Sequence, residues 1–101
     1  MGYVISTPKL EVEAVTSADT EYSMTMPVGT KQFSLQVRDG DAADGFRVAF
    51  DTGKVASPVE PYMGLNAGEQ YYEENINLQS ATIIYFAHSV GSVVVELLTW
   101  R

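Results

Sequence analysis

The residues best equipped for chemistry in this chain are a single histidine, a group of glutamates set among tyrosines, and an aspartate-rich loop. Nucleophilic catalysis would have to be assembled around His88, the one imidazole available to serve as a base. His88 ends the apolar segment "TIIYFAH" beside "SVGS", no Gly-x-Ser-x-Gly elbow lies near it, and the chain has no cysteine. The expectation is a strand-end histidine facing water, with no catalytic residues. Glycoside hydrolysis would need two carboxyl groups held about 5–10 Å apart across a cleft. Glu73 and Glu74 are adjacent and point to opposite faces of a strand, while Glu69 and Glu73 could share a face but would lie in open solvent.

The loop "DGDAADG", residues 39–45, approaches the calcium pattern D-x-D-x-D-G. Its fifth position is Ala43, and no glutamate stands at the twelfth, so the pattern fails and no metal site or cofactor is expected. In "PYMGLNAGEQYYEEN", residues 61–75, the tyrosines Tyr62, Tyr71 and Tyr72 are candidates for stacking against a sugar ring. Adjacent Tyr71 and Tyr72 point oppositely, so one can join such a platform while the other packs inward. High β-propensity explains the same tyrosines without any ligand.

These residues must be positioned by strands. "KQFSLQVR" alternates Phe33, Leu35 and Val37 against polar neighbours, and "FRVAF" places Phe46, Val48 and Phe50 on one side. With turn residues between them, residues 31–50 read as a β-hairpin. "KLEVEAVT" sends Leu10, Val12 and Ala14 one way, and "EYSMTM" does so with Tyr22, Met24 and Met26, which reads as a second hairpin. "GEQYYEENINL", "ATIIYFAH" and "VVVELLTW" complete the strands, and no segment has a helical period. "PVGTKQFSLQ" and "NAGEQYYEEN" echo one another, each followed by a strand with an aromatic end. Strands about ten residues apart in a chain of 101 residues predict one all-β domain over residues 1–101, an antiparallel β-sandwich of jelly-roll or Greek-key character. The expected core is Phe33, Leu35, Val37, Phe46, Val48, Phe50, Val95 and Leu97.

Thirteen acidic against six scattered basic residues give a net charge of −7. Nucleic acid needs converging cations, and an anionic membrane would repel the chain, so neither is an expected partner. "MGYVIS" formally fits a Gly2 acylation pattern, yet no signal peptide or anchor is expected. The strongest signal is an excess of apolar residues. "TIIYF" and "VVVELLTW" are apolar on both parities, where an antiparallel sandwich ordinarily keeps one face polar. Either both strands are covered on both sides by their own chain, or one face meets a protein partner. The candidates for that contact are Ile84, Phe86, Val94, Leu98 and Trp100. Glu96, within the same surplus face, would need an arginine from this chain or a partner.

The order "FSLQVRDGDAADGFRVAFDTGKV", "PYMGLNAGEQYYEENINL" and "ATIIYFAHSVGSVVVELLTW" resembles the small all-β accessory proteins of tailed-bacteriophage virions, which decorate the head or complete its tail attachment. Decoration proteins of that kind open on a Pro- and Gly-rich arm, whereas this chain runs almost directly into a strand. The resemblance implies a non-enzymatic component located in the virion, binding a capsid or connector lattice of other virion proteins, often as a homo-oligomer. A carbohydrate-binding or adhesin-like module using Tyr62, Tyr71 or Tyr72 is the alternative.

Overall fold

The computed structural model describes residues 8–38, 45–66 and 69–101. Within them lie eight strands and no helix: β1 Lys9–Val15, β2 Tyr22–Met26, β3 Gln32–Val37, β4 Phe46–Ala49, β5 Met63–Leu65, β6 Gln70–Glu73, β7 Thr82–His88 and β8 Val93–Trp100. They form two four-stranded antiparallel sheets, sheet A in the order β1-β8-β3-β6 and sheet B in the order β2-β7-β4-β5. Every connection but β4 to β5 crosses between sheets, which is the jelly-roll form of the β-sandwich.

Residues 31–50 therefore do not make a hairpin. β3 pairs with β6 and β8, whereas β4 pairs with β5 and β7 in the opposite sheet. β1 and β2 are separated in the same way, pairing with β8 and β7. Alternation shows which side chains face inward and polar residues show where the chain reverses. Neither distinguishes a reversal within one sheet from an arch across the core. The two echoing segments supply β3 and β6, which pair with each other, and their followers β4 and β7 pair likewise. β5, only three residues long, is too short to show a period and has no counterpart in the sequence reading.

Between the sheets, Val15, Met24, Met26, Phe33, Leu35, Phe46, Val48, Ile84, Phe86, Val93, Val95 and Leu97 form one core. Phe86 lies at its centre, 6.0 Å from the ring of Phe46 and 6.4 Å from that of Tyr22. Each large side chain so buried contributes about 1.5–3 kcal/mol. Val37 packs half-buried at the core's margin. Phe50 does not join it: β4 ends at Ala49, and Phe50 stands 47% exposed. Strand alternation extrapolated one residue too far places it inside.

Sheet B carries a second, smaller apolar layer on its outside. Residues 50–61 fold back over it, and Val55 is fully buried against Ala49 and Ala87, flanked by Tyr62 and Tyr85. Arg47 faces the same way, giving hydrogen bonds through Nε to the Val55 carbonyl (2.6 Å) and through one terminal nitrogen to the Ala56 carbonyl (3.2 Å) and Asp19 Oδ1 (2.8 Å). Glu21 fastens the segment further, accepting from the Thr52 hydroxyl and the Gly53 amide.

Two glycines separate backbone strain from steric blockage. Gly53 (φ +84°) has open space where a Cβ would sit, whereas a Cβ on Gly91 (φ +82°) would lie 2.8 Å from the Ala18 amide nitrogen and 2.9 Å from the Ser17 carbonyl carbon. Gly53→Ala should cost about 1 kcal/mol from its dihedral alone. Gly91→Ala should cost clearly more, about 2–4 kcal/mol, because backbone must shift. Urea unfolding of both variants measures the difference; equal losses would show that the β7–β8 turn is free to move away from residues 16–18.

Candidate functional site

The outer face of sheet A is built by one parity of its strands. Register pairs Leu10 with Leu98, Val12 with Glu96 and Ala14 with Val94, and on the other side Ser34 with Leu98 and Gln32 with Trp100. Directly paired residues share a face, so Leu10, Val12, Ala14, Val94, Leu98 and Trp100 lie together on the outside. Leu10 is 60% exposed and Val12 50%. In β1 the usual arrangement is inverted: Lys9, Glu11 and Glu13 have the parity of buried Val15, and the apolar residues face water. The charged parity borders a groove of about 470 Å³ beside β2, with Lys9 Nζ paired to Glu11 at 2.9 Å.

Glu96 stands in the middle of this apolar face and finds its arginine within the chain. Its carboxylate accepts from Gln36 Nε2 and Arg38 Nε, both at 3.0 Å. The hydrogen bonds from Gln36 and Arg38, with the latter's charge, hold its carboxyl below the ordinary value of 4.5 against a smaller opposing effect of desolvation. Glu96 is the only charged strand residue on this face, and Arg38 neutralises it.

Of the five residues expected at a partner contact, Val94, Leu98 and Trp100 lie on this face, half-buried. Ile84 and Phe86 do not; both are fully buried in the main core, since they share the parity of β7 that faces sheet A. The outward parity of β7 is Ile83, Tyr85 and Ala87, and the segment carrying Val55 covers the last two. Apolar residues on both parities thus have different causes in the two strands. β7 is covered on its outer side by its own chain at Tyr85 and Ala87, leaving Ile83 41% exposed, whereas no described segment packs over the outer parity of β8.

The tyrosines divide as adjacency requires. Tyr71 points between the sheets, its ring edge-on to Phe33 at 5.3 Å, while Tyr72 is 56% exposed on the outer face of sheet A. Tyr62 and Tyr71 line one cleft with Phe50, and Tyr72 lies apart from it, in a shallow depression with Trp100. The three tyrosines therefore form no common platform. Phe50, which alternation assigned to the core, is the aromatic neighbour that sequence reasoning missed. The Tyr71 hydroxyl donates to Glu73 at 3.3 Å, and burial first, then the charge of Glu73, pushes its pKa up. Ala67 and Gly68, just before this strand, lie outside the described residues.

His88 is fully buried, not at the surface. Its Nδ1 accepts the backbone amides of Val90 (3.1 Å) and Gly91 (3.2 Å), so the imidazole organises the β7–β8 turn. An imidazole with no solvent access and its Nδ1 so engaged is a structural acceptor. Glu69, Glu73 and Glu74 are exposed, as expected of a solvated edge. Among the described residues, no three His, Asp or Glu side chains gather where they could hold a metal ion, and no helix is long and apolar enough to cross a membrane. The calcium-like loop 39–44 and the Gly2 acylation pattern lie outside the described residues.

No protein-family model matches the sequence, and no curated protein matches it. Among solved structures, the chain is similar to a de novo designed double-stranded β-helix determined by solution NMR, with a TM-score of 0.52 and 14% identity over 95% of this chain and 100% of that one. At that identity the likeness concerns the fold alone.

Because the folded-state carboxyl of Glu96 lies below its ordinary value, its contribution is complete above about pH 5 and fades as the pH falls through the lowered value. Glu96→Gln should cost no more than about 1 kcal/mol near neutrality, and the gap from wild type should narrow as the pH falls below 4.5 through the lowered value. Denaturant unfolding at several pH values reads this; a gap that stays constant would mean the ion pair contributes nothing. His88→Ala should cost about 2–4 kcal/mol by leaving the amides of Val90 and Gly91 without their acceptor. An unchanged melting temperature would mean that the turn holds itself.

Proposed function

We propose that this chain is a non-enzymatic structural protein of a tailed-bacteriophage virion, one that decorates or cements the capsid or completes the head-tail assembly through the outer face of sheet A. The observation that carries the reading is the inverted parity of β1, which adds Leu10, Val12 and Ala14 to Val94, Leu98 and Trp100 in one apolar surface. A strand normally takes the register that buries its apolar side, so a strand that turns that side outward is suited to a partner.

The first partner is a second copy of this chain. A chain of net charge −7 repels itself over most approaches, but the strands of this face carry one charge, neutralised by Arg38, with Glu74 at its margin. Strands of seven, eight, six and four residues, spaced about 4.8 Å apart and rising about 3.3 Å per residue, make a face that would bury on the order of 800 Å² in total when two meet, the size of a weak contact that a repeating lattice must reinforce. A repeating lattice of virion proteins then supplies the larger assembly. Jelly rolls serve both as viral coat domains and as lectins, so the fold favours neither; the apolar face favours assembly.

Light scattering behind size exclusion should give a dimer or larger ring for the wild type and a monomer for Trp100→Ser and for Leu10→Lys, with amide dispersion unchanged in the variants. A wild-type monomer at high micromolar concentration would overturn self-association. Within particles, the chain should sediment with intact virions in fixed stoichiometry; its absence from purified particles would overturn the virion role even if the dimer stands.

A further inference from the structure

Where the sheets part at the β5 and β6 edges, Phe50, Tyr62 and Tyr71 wall a cleft of about 290 Å³, with Val48 and Met63 also in its lining. It lies away from the assembly face and does not depend on that reading. The rings of Phe50 and Tyr71 are 6.3 Å apart at an interplanar angle of 71°, so they form two walls, not one flat platform. No Lys, Arg, Asn or Gln side chain lines the cleft. The one charged side chain there is exposed Asp51, which makes no ion pair among the described residues. Glu73 adds a second negative charge beside the Tyr71 hydroxyl, and the raised pKa of that hydroxyl reflects burial and this charge together.

Aromatic faces around an apolar floor, with negative charge near the mouth, attract a cation that has surrendered its water. We propose that this cleft binds a quaternary ammonium group, the trimethylammonium head of a choline-type ligand. A primary ammonium is a strongly hydrated donor of three hydrogen bonds and would find, among the lining side chains, only exposed Asp51 and the tyrosine hydroxyls, that of Tyr71 already donating to Glu73. A quaternary ammonium has no donors to satisfy, meets the rings with all its methyl groups, and feels the carboxylates through space. A pyranose carries donors and acceptors all around its ring, and the lining side chains offer them only exposed Asp51 and two tyrosine hydroxyls, one already donating to Glu73.

The test is a titration of the full chain, followed by the aromatic resonances of Phe50, Tyr62 and Tyr71, with choline, its neutral isostere 3,3-dimethylbutanol, butylamine and methyl glucoside at matched ionic strength. Choline should shift those resonances saturably and bind at least about tenfold more tightly than the isostere. Phe50→Ala, at a half-exposed position, should keep the folded amide spectrum and lose the binding, Asp51→Asn should weaken it about threefold or more, and Trp100→Ser should leave it intact. Equal binding of the neutral isostere would reduce the cleft to an apolar slot. Preference for butylamine would assign it to a lysine side chain, preference for the glucoside to a glycan, and absence of saturable shifts to no ligand of this kind; each of these overturns the proposal.

Discussion

A guanidinium buried beneath a loop must find acceptors for its donors or it cannot stay buried, and Arg47 organises the outside of sheet B around that demand. Its position in β4 points away from the main core, on the face shared with Ala49 and Ala87. The carbonyls of Val55 and Ala56 come over it, which fixes the segment 50–61 against the sheet, and that placement lets Val55 close the small apolar layer. Asp19, reaching in from the β1–β2 connection, balances the charge at 2.8 Å. One cation thereby couples three parts of the chain that are distant in sequence and gives sheet B a roof.

Sheet A has no such device among the described residues. Its outer parity contains one charged strand residue, Glu96, and Arg38 and Gln36 satisfy that carboxylate in the plane of the face without bringing any segment across it. The two sheets thus reach different solutions to the same surplus of apolar side chains, an internal cover for B and an open surface for A. The charged inward parity of β1 fits this arrangement. At the edge of a sandwich, inward-pointing Lys9, Glu11 and Glu13 discourage another strand from adding to the sheet edge. The same choice leaves Leu10 and Val12 outside, which moves the adhesive potential of β1 from its edge to its face.

Period-two alternation made the sandwich legible, because residues such as Phe33, Leu35, Val95 and Leu97 can be buried together only on strands. The connectivity was not legible, since "DGDAADG" suits an arch between sheets as well as a hairpin. Glu96's need for an arginine could be read from its place among valines and leucines, and Arg38 meets it. Which parity of a doubly apolar strand is covered depends on a loop elsewhere, so Ile84 and Phe86 could not be told from Val94 and Leu98 by their own neighbours. The burial of His88 was hidden for a similar reason: it continues the inward parity of Ile84 and Phe86, but its Nδ1 contacts form only once the β7–β8 turn has closed.

β6 joins the two surfaces through consecutive residues. Tyr71 turns into the aromatic cleft and Tyr72 onto the outer face of sheet A, because neighbouring side chains in a strand must diverge. The strand is short and lies at the sheet edge, held by its ladder to β3 and by the packing of Tyr71 on Phe33. Of its four residues only Tyr71 lines the cleft, whereas Gln70, Tyr72 and Glu73 border the depression beside Trp100. Divergence thus lets one short strand serve two surfaces that face opposite ways, so a side chain changed on the outer face, such as Trp100, leaves Tyr71 and the cleft wall in place.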